Sequence, residues 1–194
     1  MSQNEYFIIQ CDLIVNVEAL PEGVNLPDAL QFADEIPEPF KMASDIAYLD
    51  SQALSGLKFN NEGALLLKHY LETQNQKLNI LLTYVLSQQD DMKLQYHTLA
   101  LSAGECVFSV KQQHDFQLDQ LVRLKIFTPN ESAAVYCYAR ISNIEKDNIT
   151  LTYPLILDED RELLIRSTLH LQSLQLKQRT AERLSLEEQS IKED

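Results

Sequence analysis

The chain has 194 residues, 45% of them hydrophobic, which is enough to bury one core of domain size with a small helical elaboration beside it. The formal net charge of −13 disfavours nucleic acid polymers and anionic membrane surfaces as partners, because like charges repel. The sequence contains neither an apolar run long enough to span a bilayer nor a basic region followed by an apolar run at its start. We therefore expect a cytoplasmic protein without membrane insertion.

The first predicted element is a strand at residues 6–17, which is rich in β-branched and aromatic side chains and alternates apolar with polar residues in its second half. An acidic connection with several prolines follows. Between residues 18 and 50, eight acidic residues accompany a single base, Lys41. We interpret this connection as a solvated surface, with a docking surface for a basic partner as the alternative. Apolar residues at helical intervals then predict a helix at about residues 40–57.

A long helix is predicted at residues 62–89, where apolar positions alternate in steps of three and four. This is the heptad spacing of helices that pack in bundles and coiled coils. Gln74 in the middle of this pattern is polar. A polar residue at such a position can fix the register or the number of helices in a bundle, at some cost in stability. We predict self-association through this heptad seam; the alternative is a helix buried within its own monomer. The predicted interface residues are Leu67, Leu71, Gln74, Leu78, Leu81 and Val85.

Beyond residue 91 the pattern changes from helical to extended. Acidic residues at 158–160 favour the start of a C-terminal helix that continues to residue 177. Residues 180–194 are predicted to form a solvated tail that frays. The predicted strands cover residues 93–101, 105–110, 121–128, 133–144 and 149–154.

The residues that catalysis or metal binding would require are not grouped in this sequence, so we expect no enzyme and no cofactor. The four glycines are too far apart to form a phosphate-binding loop. Ser102 lacks the preceding glycine of a hydrolase nucleophile turn. Cys11, Cys106 and Cys137 lie far apart in apolar segments and are expected to be buried thiols.

Three segments of the predicted strands carry a resemblance to a known family. They are residues 99–108 with the turn Ser102-Ala103-Gly104, residues 121–126, and residues 135–141. Short strands that close on themselves, with a helix after them, are similar to the PilZ family over roughly residues 92–179. The resemblance implies an α+β fold, with a small antiparallel PilZ-like β-barrel, a heptad-patterned helix and a C-terminal helix. It also implies a role in cyclic di-GMP signalling in bacterial motility or surface regulation.

The resemblance extends to the family's ligand motifs only in part. Members that bind cyclic di-GMP use Arg-x-x-x-Arg ahead of the barrel and Asp/Asn-x-Ser-x-x-Gly on its strands. Here the second motif aligns Ala100, Ser102 and Glu105, with Gly104 one place early, and no arginine precedes Arg123. Guanidinium groups both bond phosphates and stack on bases, at about 1.5–3 kcal/mol for each charge-assisted bond. We therefore predict a non-catalytic adaptor that acts through protein-protein contacts without binding the dinucleotide.

The alternative is a cyclic di-GMP receptor that uses other basic residues. Arg179 and Arg183 match the arginine motif but follow the barrel, where cations four residues apart ordinarily belong to a solvated helix face. Lys93 and His97 have the same spacing on a predicted strand. A third alternative is an unrelated structural β-barrel module whose similarity to the family is accidental. Strands that form an open sandwich instead of a closed barrel would favour it. The candidate ligand residues of the receptor alternative are Ser102, Gly104, Arg123, Arg140, Arg179 and Arg183.

The strands after residue 91 are one short of the family's usual barrel, so we predict that residues 6–17 complete the sheet. The chain is divided accordingly into a strand and helical region (1–91), a barrel with its helix (92–179) and a tail (180–194). Ligand arginines ahead of the first strand would have to lie within residues 1–5, which contain none.

Overall fold

The computed structural model describes residues 6–42, 62–88, 92–110, 114–128 and 133–192. The strands are β1 (Ile9–Gln10), β2 (Ile14–Ala19), β3 (Gln95–Leu101), β4 (Glu105–Ser109), β5 (Leu121–Thr128), β6 (Ala133–Glu145) and β7 (Asn148–Leu155). The helices are α1 (Ala29–Glu35), α2 (Glu62–Gln88) and α3 (Asp158–Lys192), with a 3-10 turn at Met92–Leu94.

Six strands form a closed antiparallel barrel in the order β2-β5-β6-β7-β4-β3, and β3 pairs back onto β2. The segment predicted as a strand at residues 6–17 supplies two elements of this sheet. Its second half, β2, pairs with β3 and β5, and its first half, β1, extends the same edge of β3 through Ile9 opposite Leu101. The described strands close into a barrel, so the open sandwich that would have favoured an unrelated module is not formed.

The break between β1 and β2 is held by one buried side chain, Thr98 of β3. Its hydroxyl donates to the Cys11 carbonyl at 2.7 Å and accepts the Leu13 N–H at 2.9 Å. The irregular residues between the two strands therefore keep their backbone hydrogen bonds satisfied, as buried backbone groups require.

The barrel interior is filled by alternate side chains of all six strands and closed at one end by α3. Leu163 and Leu164 of α3 are buried in this core. Cys106 and Cys137 are fully buried there, and burial raises the pKa of both thiols, whereas Cys11 is only half-buried. The expectation of buried thiols thus holds for two of the three cysteines.

A second hydrophobic cluster lies on the outer face of β5 and β6. It is covered by residues 20–40, which we call the strap. Phe32 of the strap stacks on Tyr136 with centroids 6.0 Å apart, and Phe40 packs edge-on against the same ring, also at 6.0 Å. The strap was predicted from the sequence as an acidic connection, without α1. The signal was available, because Asp28 and Gln31 form a reciprocal capping box.

The observed helices differ from the predicted ones in their first or last residues. Residues 38–42 are helical, while the rest of the helix predicted at 40–57 lies outside the described residues. The helix α2 matches the prediction at 62–89. The tail was expected to fray, but α3 continues to Lys192, with the side chains of residues 180–183 exposed.

None of the described helices is long and apolar enough to cross a membrane. The division of the chain at residues 91 and 179 stays a prediction.

The second cluster predicts a specific loss of stability at alkaline pH. Burial raises the pKa of Tyr136 to about 12 from the ordinary 10.0, although the nearby Arg123 acts in the opposite direction. The folded protein therefore holds this proton more tightly than the unfolded chain does. The resulting stabilisation is complete below pH 10.0 and is lost as the pH rises towards about 12.

We expect the free energy of unfolding, measured by urea titration, to fall with pH over this range and to fall less steeply in Tyr136→Phe. Tyr70→Phe, which removes an exposed hydroxyl from α2, is the matched control. Equal slopes in the wild type and Tyr136→Phe would contradict the assignment.

Candidate functional site

The turn between β3 and β4 contains the serine that aligns with the family's ligand motif. Ser102 is 1% exposed, and its hydroxyl oxygen accepts the N–H groups of Gly104 at 3.1 Å and Glu105 at 2.9 Å. The hydroxyl proton points to the Glu105 carbonyl at 3.3 Å. Because the turn itself uses the hydroxyl as donor and acceptor, Ser102 closes the hairpin.

The outer side of this turn is covered by two residues that the sequence analysis missed. A Cβ built on Gly104 would lie 3.0 Å from Cδ2 of Tyr6, so the ring lies directly against the glycine. Arg161 of α3 donates from Nη1 to the Ala103 carbonyl at 2.8 Å, and its guanidinium lies 5.7 Å from the centroid of the Tyr6 ring. The N-terminal segment and the first turn of α3 therefore meet over the turn. No local pattern marks either residue for this contact.

Arg123 on β5 takes part in a network that holds the strap. Its Nη1 lies 3.3 Å from Oε1 of Glu18, the residue opposite it on β2. Tyr138 lies opposite Arg123 on β6, and its hydroxyl donates to Oε2 of Glu35 in α1 at 2.5 Å. The Tyr138 hydroxyl beside the guanidinium is the main cause that raises the pKa of Arg123. Arg123 thus links β2 and β6, and Tyr138 continues the link to the strap.

Arg140 on β6 lies in a cleft of about 660 Å³ at the outer edge of the barrel. We call it the Arg140 cleft; it is lined by residues 20–26, residues 117–121 and Arg140. Nη1 of Arg140 donates to the Asp119 carbonyl at 3.3 Å. In register, Arg140 lies opposite Thr152, which in turn lies opposite Glu105. The cleft and the Ser102 turn are therefore two strands apart, about 10 Å at the ordinary strand spacing.

The remaining basic candidates lie elsewhere. Arg179 and Arg183 are exposed on α3, and Arg179 follows Arg161 by a helical stretch of about 27 Å at 1.5 Å per residue. Lys93 lies in the 3-10 turn ahead of β3, not on the strand as predicted, and Nδ1 of His97 lies 2.6 Å from Asp12 Oδ1. The structure brings Ser102 and Gly104 together in one turn but does not gather the four candidate arginines around it.

The heptad seam of α2 is accessible. Leu71 is 39% exposed, and Leu67, Leu78 and Leu81 are each more than half exposed. Gln74 is half-buried, and the side chain of Val85 lies outside the described residues. The helix contacts β5 and β6, yet these four leucines are not buried within the monomer. These exposures do not favour the alternative of a helix buried within its own monomer, and self-association through the seam stays a prediction.

No model of a known protein family and no curated protein matches the sequence. The fold is similar to that of the Bacillus subtilis inhibitor of motility, MotI/DgrA, with 13% identity over 89% of this chain and a TM-score of 0.46. This chain spans about half of that protein, 52% of its length. The fold is also similar to a Xanthomonas campestris tetrameric PilZ domain that self-assembles through a helical bundle. That match has 13% identity, covers 90% of this chain and 93% of the other, and has a TM-score of 0.48.

The contact between Tyr6 and Gly104 predicts a coupling between the two positions. In Gly104→Ala the added Cβ would lie 3.0 Å from the ring, which would have to shift by a few tenths of an ångström, so we expect a loss of about 1 kcal/mol of stability. In a Tyr6→Leu background the same substitution should cost less, because the ring is gone. Urea unfolding of the four proteins in this double-mutant cycle measures the difference, and additive costs would show that the ring does not lie against the glycine.

Proposed function

We propose that this protein is a non-catalytic PilZ-like signalling adaptor that acts through protein-protein contacts in cyclic di-GMP-related bacterial motility or surface regulation. It does not bind the dinucleotide itself. The process is the one implied by the sequence resemblance. The observation that supports the loss of binding is the covering of the Ser102 turn by the protein's own Tyr6 and Arg161.

A ligand at this turn would have to displace Arg161. Moving Arg161 breaks its charge-assisted bond to the Ala103 carbonyl, worth about 1.5–3 kcal/mol, and its contact with the Tyr6 ring, worth about 0.5–2 kcal/mol. A dinucleotide with two phosphates also has to approach a chain of net charge −13. Arg123, which the receptor alternative would recruit, already pairs with Glu18.

The heptad seam supports a function in protein contacts. Large apolar side chains exposed together on one helix face mark interaction surfaces, and each buried square ångström of apolar surface contributes about 25 cal/mol. The heptad spacing favours another copy of the same helix as the partner, because the a and d positions of two such helices interlock. Gln74 in the middle of the seam suits a position that fixes register. We therefore include self-association through α2 in the proposal.

Calorimetric titration with cyclic di-GMP tests the ligand part of the proposal. We expect no submicromolar binding to the isolated protein, because the turn is closed and the candidate arginines are dispersed. Submicromolar binding would establish the receptor alternative. Repeating the titration with Arg140→Met and with Arg179→Met/Arg183→Met would then identify which arginines hold the ligand.

Light scattering after size-exclusion chromatography tests the seam. We expect an oligomer at tens of micromolar, and we expect Leu71→Asp to dissociate it, since a carboxylate would be buried among leucines. His69→Asp is the matched control. It introduces the same group at an exposed position about 200° away around the helix, on the opposite face. A monomeric wild type, or equal dissociation by both variants, would exclude the seam as the interface.

A further inference from the structure

We infer that the Arg140 cleft binds a short peptide segment that presents a single carboxylate beside an aliphatic side chain. The inference rests on the proposed adaptor function and names the chemistry of a partner. It concerns a surface separate from the heptad seam of α2.

The walls of the cleft are tied together, so the site exists before any ligand arrives. The Leu20 N–H donates to the Leu121 carbonyl at 3.0 Å, and Nε2 of Gln120 donates to the Leu20 carbonyl at 3.3 Å. The second loop is fixed to β6 by the Asp119 N–H, which donates to the Ile141 carbonyl at 2.9 Å. A preformed site loses less conformational entropy on binding than one that must assemble.

The lining is suited to an aliphatic side chain. At about 660 Å³ the cleft falls within the usual range of ligand sites, about 300–1,000 Å³. Leu118 is 60% exposed and Val24 is 39% exposed, which leaves apolar surface on both walls that a ligand can cover. The apolar residues of the lining are Leu20, Pro21, Val24, Leu26, Leu118 and Leu121.

Arg140 supplies the anchor for a carboxylate. A guanidinium has five N–H donors, and one nitrogen of Arg140 bonds the Asp119 carbonyl at 3.3 Å. The remaining donors can form the paired hydrogen bonds that arginine makes with carboxylates. That bond places the guanidinium beside the loop that lines the cleft.

The charge of the cleft decides between a carboxylate and a phosphate. Glu22 and Asp119 line the cleft together with Arg140, so its formal charge is already negative. A phosphate monoester brings a charge of about −1.5 to −2, against −1 for a carboxylate, and is repelled more strongly. The main-chain N–H groups of a peptide can in addition donate to the two acidic side chains. These charges favour a singly charged peptide over a nucleotide.

The experiment is a ¹H–¹⁵N NMR titration of the full chain with the capped peptide acetyl-Leu-Glu-Leu-amide. We expect saturable shifts confined to residues 20–26, residues 117–121 and Arg140. Arg140→Met should weaken binding about tenfold or more. The control Arg166→Met removes the same charge from an exposed position on α3, where Nη1 lies 3.9 Å from Glu162, and should bind as the wild type does.

Two further probes separate the chemistries. Acetyl-Leu-Gln-Leu-amide keeps the shape of the peptide without its charge. Its affinity should be lower by about fivefold or more. Guanosine monophosphate should bind more weakly than the acidic peptide. No saturable shifts up to about 10 mM, shifts scattered over other surfaces, an unaffected Arg140→Met, or tighter binding of the nucleotide would each overturn the inference. None of these results depends on whether the protein self-associates or binds cyclic di-GMP.

Discussion

The pairing of β2 with both β3 and β5 is the constraint on which the rest of the structure depends. This pairing closes the barrel with a strand from the start of the chain, so the chain must leave the barrel after Ala19 and return at Gln95. Of the residues between these points, 20–42 and 62–88 lie outside the barrel. The strap is fixed to the outer face of β5 and β6 by aromatic packing. Further along the chain lies α2, where Leu67, Leu71, Leu78 and Leu81 are accessible.

Closure by the N-terminal strand also brings Tyr6 to the Ser102 turn. Because β1 continues along β3, the residues before it run past the end of that strand, where Gly104 leaves room for a ring and Arg161 covers it. The same topology that completes the sheet thus closes the position at which the sequence resemblance would place a ligand. The seam of α2 and the Arg140 cleft are not covered in this way.

Three arginines, Arg123, Arg140 and Arg161, make different contacts around the barrel. Arg123 pairs with Glu18, and Arg161 bonds a carbonyl of the Ser102 turn, so both join segments that are remote in sequence. Charge-assisted bonds of this kind are strong where solvent is partly excluded. Arg140 differs from them, because the contact it makes is to the loop beside an open cleft.

The sequence by itself determined the features that depend on neighbours along the chain. The helix α2 follows from heptad spacing, the strands from alternation, and the lack of an arginine ahead of the barrel from simple inspection. The helix α1 and the continuation of α3 beyond residue 177 are also local features, and the prediction did not include them. Tertiary structure alone decided the contacts of Tyr6, Arg123 and Arg140, whose partners lie from about twenty to about a hundred and fifty residues away. Those contacts depend on strand register and barrel closure, which no local pattern records, because the free energy that fixes them comes from the packing of the whole sheet.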